Sequence, residues 1–274
     1  MRISLNITDY SYDSIPGGLA SVVSAADDAG IDTVWVSDHL VQADPNASVE
    51  DPMLEAYTTL GHLSALTRRV RLGAMVTAAT FRSPALLVKA VTTLDVLSGG
   101  RAWLGIGAGY QQEEARAMGL DLPPVAERFE RLEETLQIAG RMWSGDESPY
   151  EGRHYRLERP LGSPRPARRP RILVGGAGET RTLRLVAQYA DACNLFDVPG
   201  VIPHKLEVLA RHCEAVGRPY EEIEKTVATR AETLPDRIDD LAAQGIDHAV
   251  LVTRGPWTAE RVVALSPFLE KMTS

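Results

Sequence analysis

The stretch Arg171-Ile-Leu-Val-Gly-Gly-Ala-Gly-Glu-Thr-Arg-Thr-Leu-Arg-Leu-Val-Ala187 reads as a strand, a glycine turn and the start of a helix. Ile172 to Val174 form a short apolar run that breaks at Gly175, Gly176 and Gly178, and Leu183, Val186 and Ala187 then fall on one helical face. Glycines let a backbone approach a phosphate closely, while free N–H groups and the positive end of a helix favour its charge. The stretch is therefore a candidate anion cradle. Taken alone, the same glycines serve equally well as a tight strand-to-helix turn without a ligand.

Outward from this stretch, short β-rich runs alternate with helical patterns. The candidate strands are Ile3–Ile7, Thr33–Val36, Val70–Val76, Ala102–Ile106, Ile172–Val174, Ala192–Phe196, Thr226–Thr229 and Ala249–Val252. Helical patterns lie between and after them, at 18–29, 53–66, 84–97, 127–142, 180–189, 201–216, 235–243 and 259–269. Ser83-Pro84 reads as a cap before a proline at the first helical position, and Gly30 and Gly217 follow their helices. Eight strand–helix units imply a parallel sheet, and eight is the number that closes into a (β/α)8 TIM barrel. A doubly wound open sheet is the rival, because periodicity reveals alternation but not closure. The barrel is the expectation, as a single domain over residues 1–274.

One segment departs from the rhythm. Residues 144–171, rich in Pro, Gly and Arg, form an insertion before strand five, and Tyr150 to Leu157 could make a small hairpin in it. Arg165, Arg168, Arg169 and Arg171 resemble an anion site, but they lead into the N-terminal end of a strand. In a barrel that face lies opposite the chemistry, so a solvated surface is the better reading.

The 274 residues suffice for a sizeable core, and a net charge of −8 argues against sequence-independent nucleic-acid binding. Cys193 and Cys213 lack any metal-type spacing and read as buried thiols of a cytoplasmic protein. No run approaches the ~20 apolar residues of a membrane span, and the first residues read as a strand rather than a signal peptide. The histidines show no ligand spacing, so no metal is expected.

Barrel chemistry gathers where strands end. After the second strand come Ser37, Asp38 and His39; after the third, Thr77 to Arg82; after the fourth, Gly105-Ile-Gly-Ala-Gly-Tyr110. His39 is a candidate proton carrier, and the neighbouring Asp38 could orient it or hold its charge. Gly105, Gly107 and Gly109 mark a second close approach, though a lone G-x-G-x-G is weak evidence for a dinucleotide. Together with the cradle it suggests a flat cofactor across the barrel mouth. Arg181 could add a charged contact or lie on the surface. No nucleophile–base pair stands out, so a redox cofactor fits better than covalent catalysis.

Thr33-Val-Trp-Val-Ser-Asp-His39, Arg71 to Thr77 with Phe81-Arg82-Ser-Pro84, Leu94 to Gly109, and Gly175 to Asn194 resemble the luciferase-like monooxygenase superfamily, and more narrowly its coenzyme F420-dependent oxidoreductases. The resemblance runs in order through nearly the whole chain. It implies a (β/α)8 barrel, a homodimer, and a deazaflavin bound at the mouth beside a small-molecule substrate. Carried over, Asp38 would contact the deazaflavin and His39 would exchange a proton. Met75-Val76 matches a position where the family often has a cis peptide behind the ring. Ala78, Ala108 and Gly109 match ring or ribityl contacts, and Gly175, Gly176, Ala177, Gly178 and Glu179 match the phosphate loop. Sugar-phosphate dehydrogenases of this type carry a glutamate where Tyr110 stands here, so Tyr110 either donates a proton or packs the wall. The alternatives are an FMN-dependent monooxygenase of the same superfamily and a flavin-binding barrel without catalysis.

Overall fold

A computed structural model describes residues 1–44 and 46–273. Its sheet runs β1 (Arg2–Ile7), β2 (Thr33–Val36), β3 (Arg71–Ala74), β4 (Thr77–Ala78), β5 (Ala102–Gly107), then, past a small hairpin of β6 (Tyr150–Glu151) and β7 (Arg156–Leu157), β8 (Arg171–Gly175), β9 (Ala192–Phe196), β10 (Glu224–Arg230) and β11 (His248–Val252). All pairings in the main sheet are parallel, and β1 pairs with both β2 and β11. Both β3 and β4 pair with β5, so they are one barrel strand broken at Met75–Val76. The sheet is a closed eight-stranded (β/α)8 barrel. The expected strand Val70–Val76 is thus corrected to two pieces.

The surrounding helices are α1 (Ile15–Ala29), α2 (Ala56–Leu66), α3 (Pro84–Ser98), α4 (Gln112–Met118), α5 (Val125–Ser144), α6 (Thr182–Tyr189), α7 (Ile202–Val216), α8 (Leu234–Ala243), α9 (Ala259–Val263) and α10 (Ser266–Thr273). Gly30 and Gly217 end α1 and α7 in the left-handed region, at φ 81° and 67°, where a side chain would be strained. Ser83 precedes α3 but makes no side-chain cap bond; Pro84 supplies the start. The insertion hairpin is stapled to α5, because the Glu134 carboxylate accepts the N–H groups of Arg153, His154 and Tyr155.

Inside the barrel, Trp35, Trp103, Leu173, Ala192 and Val250 pack as one cluster, with Met75 and Val76 against it. The two indoles lie 5.6 Å apart. Gly73 makes room for them, since a Cβ there would sit 2.6 Å from the Trp35 ring. Below this layer, the first residues of four strands form a charged plug. Glu224 meets Arg2 at 2.7 Å, Arg171 at 2.9 Å and His248 Nδ1 at 2.7 Å. The plug closes the N-terminal end. The open end carries the site.

Candidate active site

The C-terminal ends of the strands enclose a cavity of about 1200 Å³. Met75 and Val76 form its floor, and the peptide bond joining them is cis. Val76 is seated between two glycines: a Cβ on Gly107 would lie 3.0 Å from it, and one on Gly175 2.8 Å. Gly105 is tighter still, its Cβ position lying 1.9 Å from the Ala74 carbonyl oxygen. The close approach expected at Gly105 and Gly107 is therefore to the protein's own bulge. Gly109 stands at φ 79°, and with Ala78 and Ala108 it lines the cavity wall.

The loop after β8 supplies the second wall. Gly176 adopts φ 112°, and its N–H donates to the Asn194 carbonyl at 3.2 Å. The N–H groups of Ala177 and Gly178 make no hydrogen bond among the described residues, and both residues line the cavity. Thr182, the first residue of α6, joins them; its Oγ1 would be 2.9 Å from a Cβ on Gly178. Glu179, expected in the phosphate loop, and Arg181, for which the sequence leaves both a contact and a surface position open, lie off the cavity. The Glu179 carboxylate turns to Lys205 at 2.5 Å and His204 at 3.2 Å, because α7 offers cations on that side. Arg181 also turns away, its guanidinium resting 5.6 Å from the Phe129 ring centre. The arginines that do line the cavity are Arg128, Arg230 and Arg237; Arg128 Nη1 donates to the Gly109 carbonyl at 2.6 Å, and its buried Nε has no hydrogen-bond partner among the described residues. Nothing in the strand–helix rhythm marks Arg128, which opens α5 nineteen residues on from Gly109.

His39 and Tyr110 line the same cavity, their rings edge to face with centres 5.9 Å apart. Tyr110 is 69% exposed as a residue; the partial burial of its ring and then the charge of Glu114 push its hydroxyl above the ordinary tyrosine value, so it is protonated at neutral pH. His39 Nδ1 lies 2.7 Å from Glu114 Oε2, and the Leu40 N–H donates to Glu114 Oε1 at 2.5 Å. Burial alone would raise the Glu114 carboxyl; the hydrogen bonds from His39 and Leu40 outweigh it and hold the group below its usual value.

Asp38 also lines the cavity, but it is not the carboxylate that orients His39. Both of its oxygens are taken by Arg82, at 2.5 and 2.9 Å, and Arg82 also reaches Glu55 at 2.6 Å. The Asp38 side chain has no exposed surface, and the neutralising guanidinium lies over the Tyr57 ring. Any contact from Asp38 to a ligand is made by an edge of an ion pair.

The model of the luciferase-like monooxygenase family matches residues 8–251. The chain belongs to this family. This luciferase-like chain is 37% identical over 169 residues, 61% of its own length, to a protein named F420-dependent glucose-6-phosphate dehydrogenase from Kineococcus radiotolerans, of which it spans 49%. It is 31% identical over 228 residues to the protein of the same name from Nakamurella multipartita, covering 81% of this chain and 65% of that one. It thus spans about half to two thirds of these relatives' lengths. Among solved structures, an F420-dependent secondary alcohol dehydrogenase holding an F420–acetone adduct superposes with a TM-score of 0.84 at 17% identity, covering 97% of each chain. A long-chain alkane monooxygenase also superposes with a TM-score of 0.84, at 11% identity, over all of this chain and 92% of that one. Such distant likenesses speak for the fold alone, and the luciferase-like barrel accommodates both chemistries.

Proposed function

We propose that the chain is a coenzyme F420-dependent oxidoreductase that exchanges a hydride between the deazaflavin and a small organic substrate. The observation that carries this reading is the pair of unspent amides at Ala177 and Gly178, opening into the same cavity as His39. A phosphate there would meet two N–H donors, the Thr182 hydroxyl and the N-terminal end of α6, with Arg128 nearby. Adding a side chain to this loop would fill the cradle or strain it, as Gly176 and Gly178 show. The residues therefore fit a phosphorylated flat coenzyme. The relatives whose names specify F420 favour the deazaflavin over FMN.

When bound, the deazaflavin supplies hydride chemistry at a carbon that, unlike the flavin nitrogen it replaces, does not lead to oxygen activation. Everything else falls to side chains of this protein. Met75 and Val76 would hold the ring from the cavity floor, in the same cavity that His39 and Tyr110 line. His39 Nε2, free of the Glu114 contact at Nδ1, would hold or accept the substrate's proton. Tyr110, protonated at neutral pH, would donate a hydrogen bond to a substrate oxygen. Phe81, Phe196 and Val252 add apolar surface to the cavity lining.

Parallel fluorescence titrations with F420 and FMN test the proposal. We expect saturable F420 binding that Gly176→Asp abolishes, because the new side chain is strained at φ 112° and brings a carboxylate to the phosphate. Tight FMN binding with none for F420 would transfer the chain to the monooxygenase reading. Binding untouched by Gly176→Asp would remove the cradle. Tight F420 binding without hydride exchange to any acceptor would leave a carrier of the coenzyme.

A further inference from the structure

We propose that Glu114 is a positioning residue that fixes the tautomer of His39. The inference rests on the reading of His39 as the proton-carrying group and extends it to a residue that no motif marks.

Glu114 sits in the first turn of α4, on a different loop from His39, and its side chain is 3% exposed. Its partners are His39 and two backbone N–H groups, those of Leu40 and Val41. Oε1 accepts the Leu40 N–H, and Oε2 lies 2.7 Å from His39 Nδ1. An ionised carboxylate only accepts hydrogen bonds. With Oε1 held by a backbone donor that never changes, the ring must present a proton at Nδ1. The lone pair of the neutral ring is thereby placed on Nε2, toward the cavity, where it can take a proton from a bound molecule. The other charged or titratable groups around the ring do not compete for this role. Asp38 is spent on Arg82, and Tyr110 meets the ring edge to face without a hydrogen bond to it.

Glu114→Gln makes the proposal falsifiable because the shape is kept and the donor pattern is not. The amide has one acceptor oxygen, which the fixed Leu40 N–H claims, so its NH2 group faces Nδ1. A ring bonded to that group must accept at Nδ1 and carry its proton on Nε2, the inverse of the native arrangement. A purely structural buried contact would not predict this inversion.

The test is nitrogen NMR of histidine-labelled protein without coenzyme, at mildly alkaline pH, with the His39 signals assigned by their loss in His39→Asn. We expect an Nδ1–H ring in the wild type, an Nε2–H ring in Glu114→Gln, and a mixture in Glu114→Ala. An Nε2–H ring in the wild type would overturn the proposal even if neither variant folds. So would an unchanged tautomer in a folded Glu114→Gln. With the deazaflavin, Glu114→Gln should lower kcat about 100-fold or more, in the range seen when a positioned base is lost or mis-protonated, while coenzyme affinity stays within twofold. If the tautomer inverts as expected but no deazaflavin binds, the positioning role stands and the functional reading falls.

Discussion

Two carboxylates lie near His39, and only the distant one touches it. Asp38 is its neighbour in the chain, which is why the sequence points there first; just past the end of β2, its side chain instead meets Arg82. Glu114 is 75 residues away and reaches the ring from the loop after β5. Its one trace in the sequence is that it follows Tyr110 by four positions, on a helix too short to show a periodic face. The role of His39 itself is open to direct trial. Replacing it with Ala should lower turnover by about 10²- to 10⁴-fold, the range for a positioned acid or base, while F420 affinity changes less than about twofold. Steady-state kinetics beside a binding titration separates these effects, and turnover near the wild-type value would exclude His39 from proton transfer. The position of His39 at a strand's end was legible from the chain. The partner that fixes its ring was not, because tertiary folding alone joins the two loops.

Among the elements, the third barrel strand and its neighbour β5 depend on each other. The break at Met75–Val76 lets the Ala74 carbonyl lean toward β5, and Gly105 is the residue that tolerates it. Gly105→Ala would put a methyl group 1.9 Å from that backbone oxygen, where no side-chain rotation relieves the clash. Overpacking of this kind costs about 1–3 kcal/mol. We expect a lower urea midpoint, with a stability loss in that range, and weaker coenzyme binding, since the displaced bulge carries the cavity floor. Equal stability and equal affinity would show that the bulge adapts freely. The spacing Gly105-x-Gly107-x-Gly109 announced close approach, which is a property of the residues themselves. It could not say what approaches: here it is a carbonyl and a valine for the first two, and a turn for the third. The strand–turn–helix at β8 was legible for the complementary reason that its parts are contiguous. Even there α6 begins at Thr182, two residues later than its pattern suggests, and this shift swings Glu179 and Arg181 off the cavity.

At the scale of the molecule, eight alternating units predicted the number of barrel strands, and the pairing of β1 with β11 supplies the closure that periodicity cannot reveal. The plug beneath the barrel is a product of that closure, because Arg2, Arg171, Glu224 and His248 are brought together from both ends of the chain. Burial would raise the Glu224 carboxyl, but His248, Arg2 and Arg171 reverse this and take it down to about 2. A carboxylate free in the unfolded chain titrates near ~4.3, so the contribution of Glu224 to stability is whole above that pH and is lost as pH falls toward about 2. Glu224→Gln leaves two partly solvated guanidinium groups facing an amide and should cost about 1.5–3 kcal/mol at neutral pH. Urea midpoints at pH 7 and pH 3 check the sign: the gap between wild type and variant should narrow at the lower pH. A gap that holds constant would mean that the plug acts by packing rather than by charge. The paired indoles in the layer above have a practical corollary. Trp35 and Trp103 pack against Met75 and Val76, so any chromophore resting on that floor is separated by those two residues from two emitters sealed from solvent. The barrel thus carries its own optical gauge of occupancy, dimming as the mouth fills, with no dye to attach.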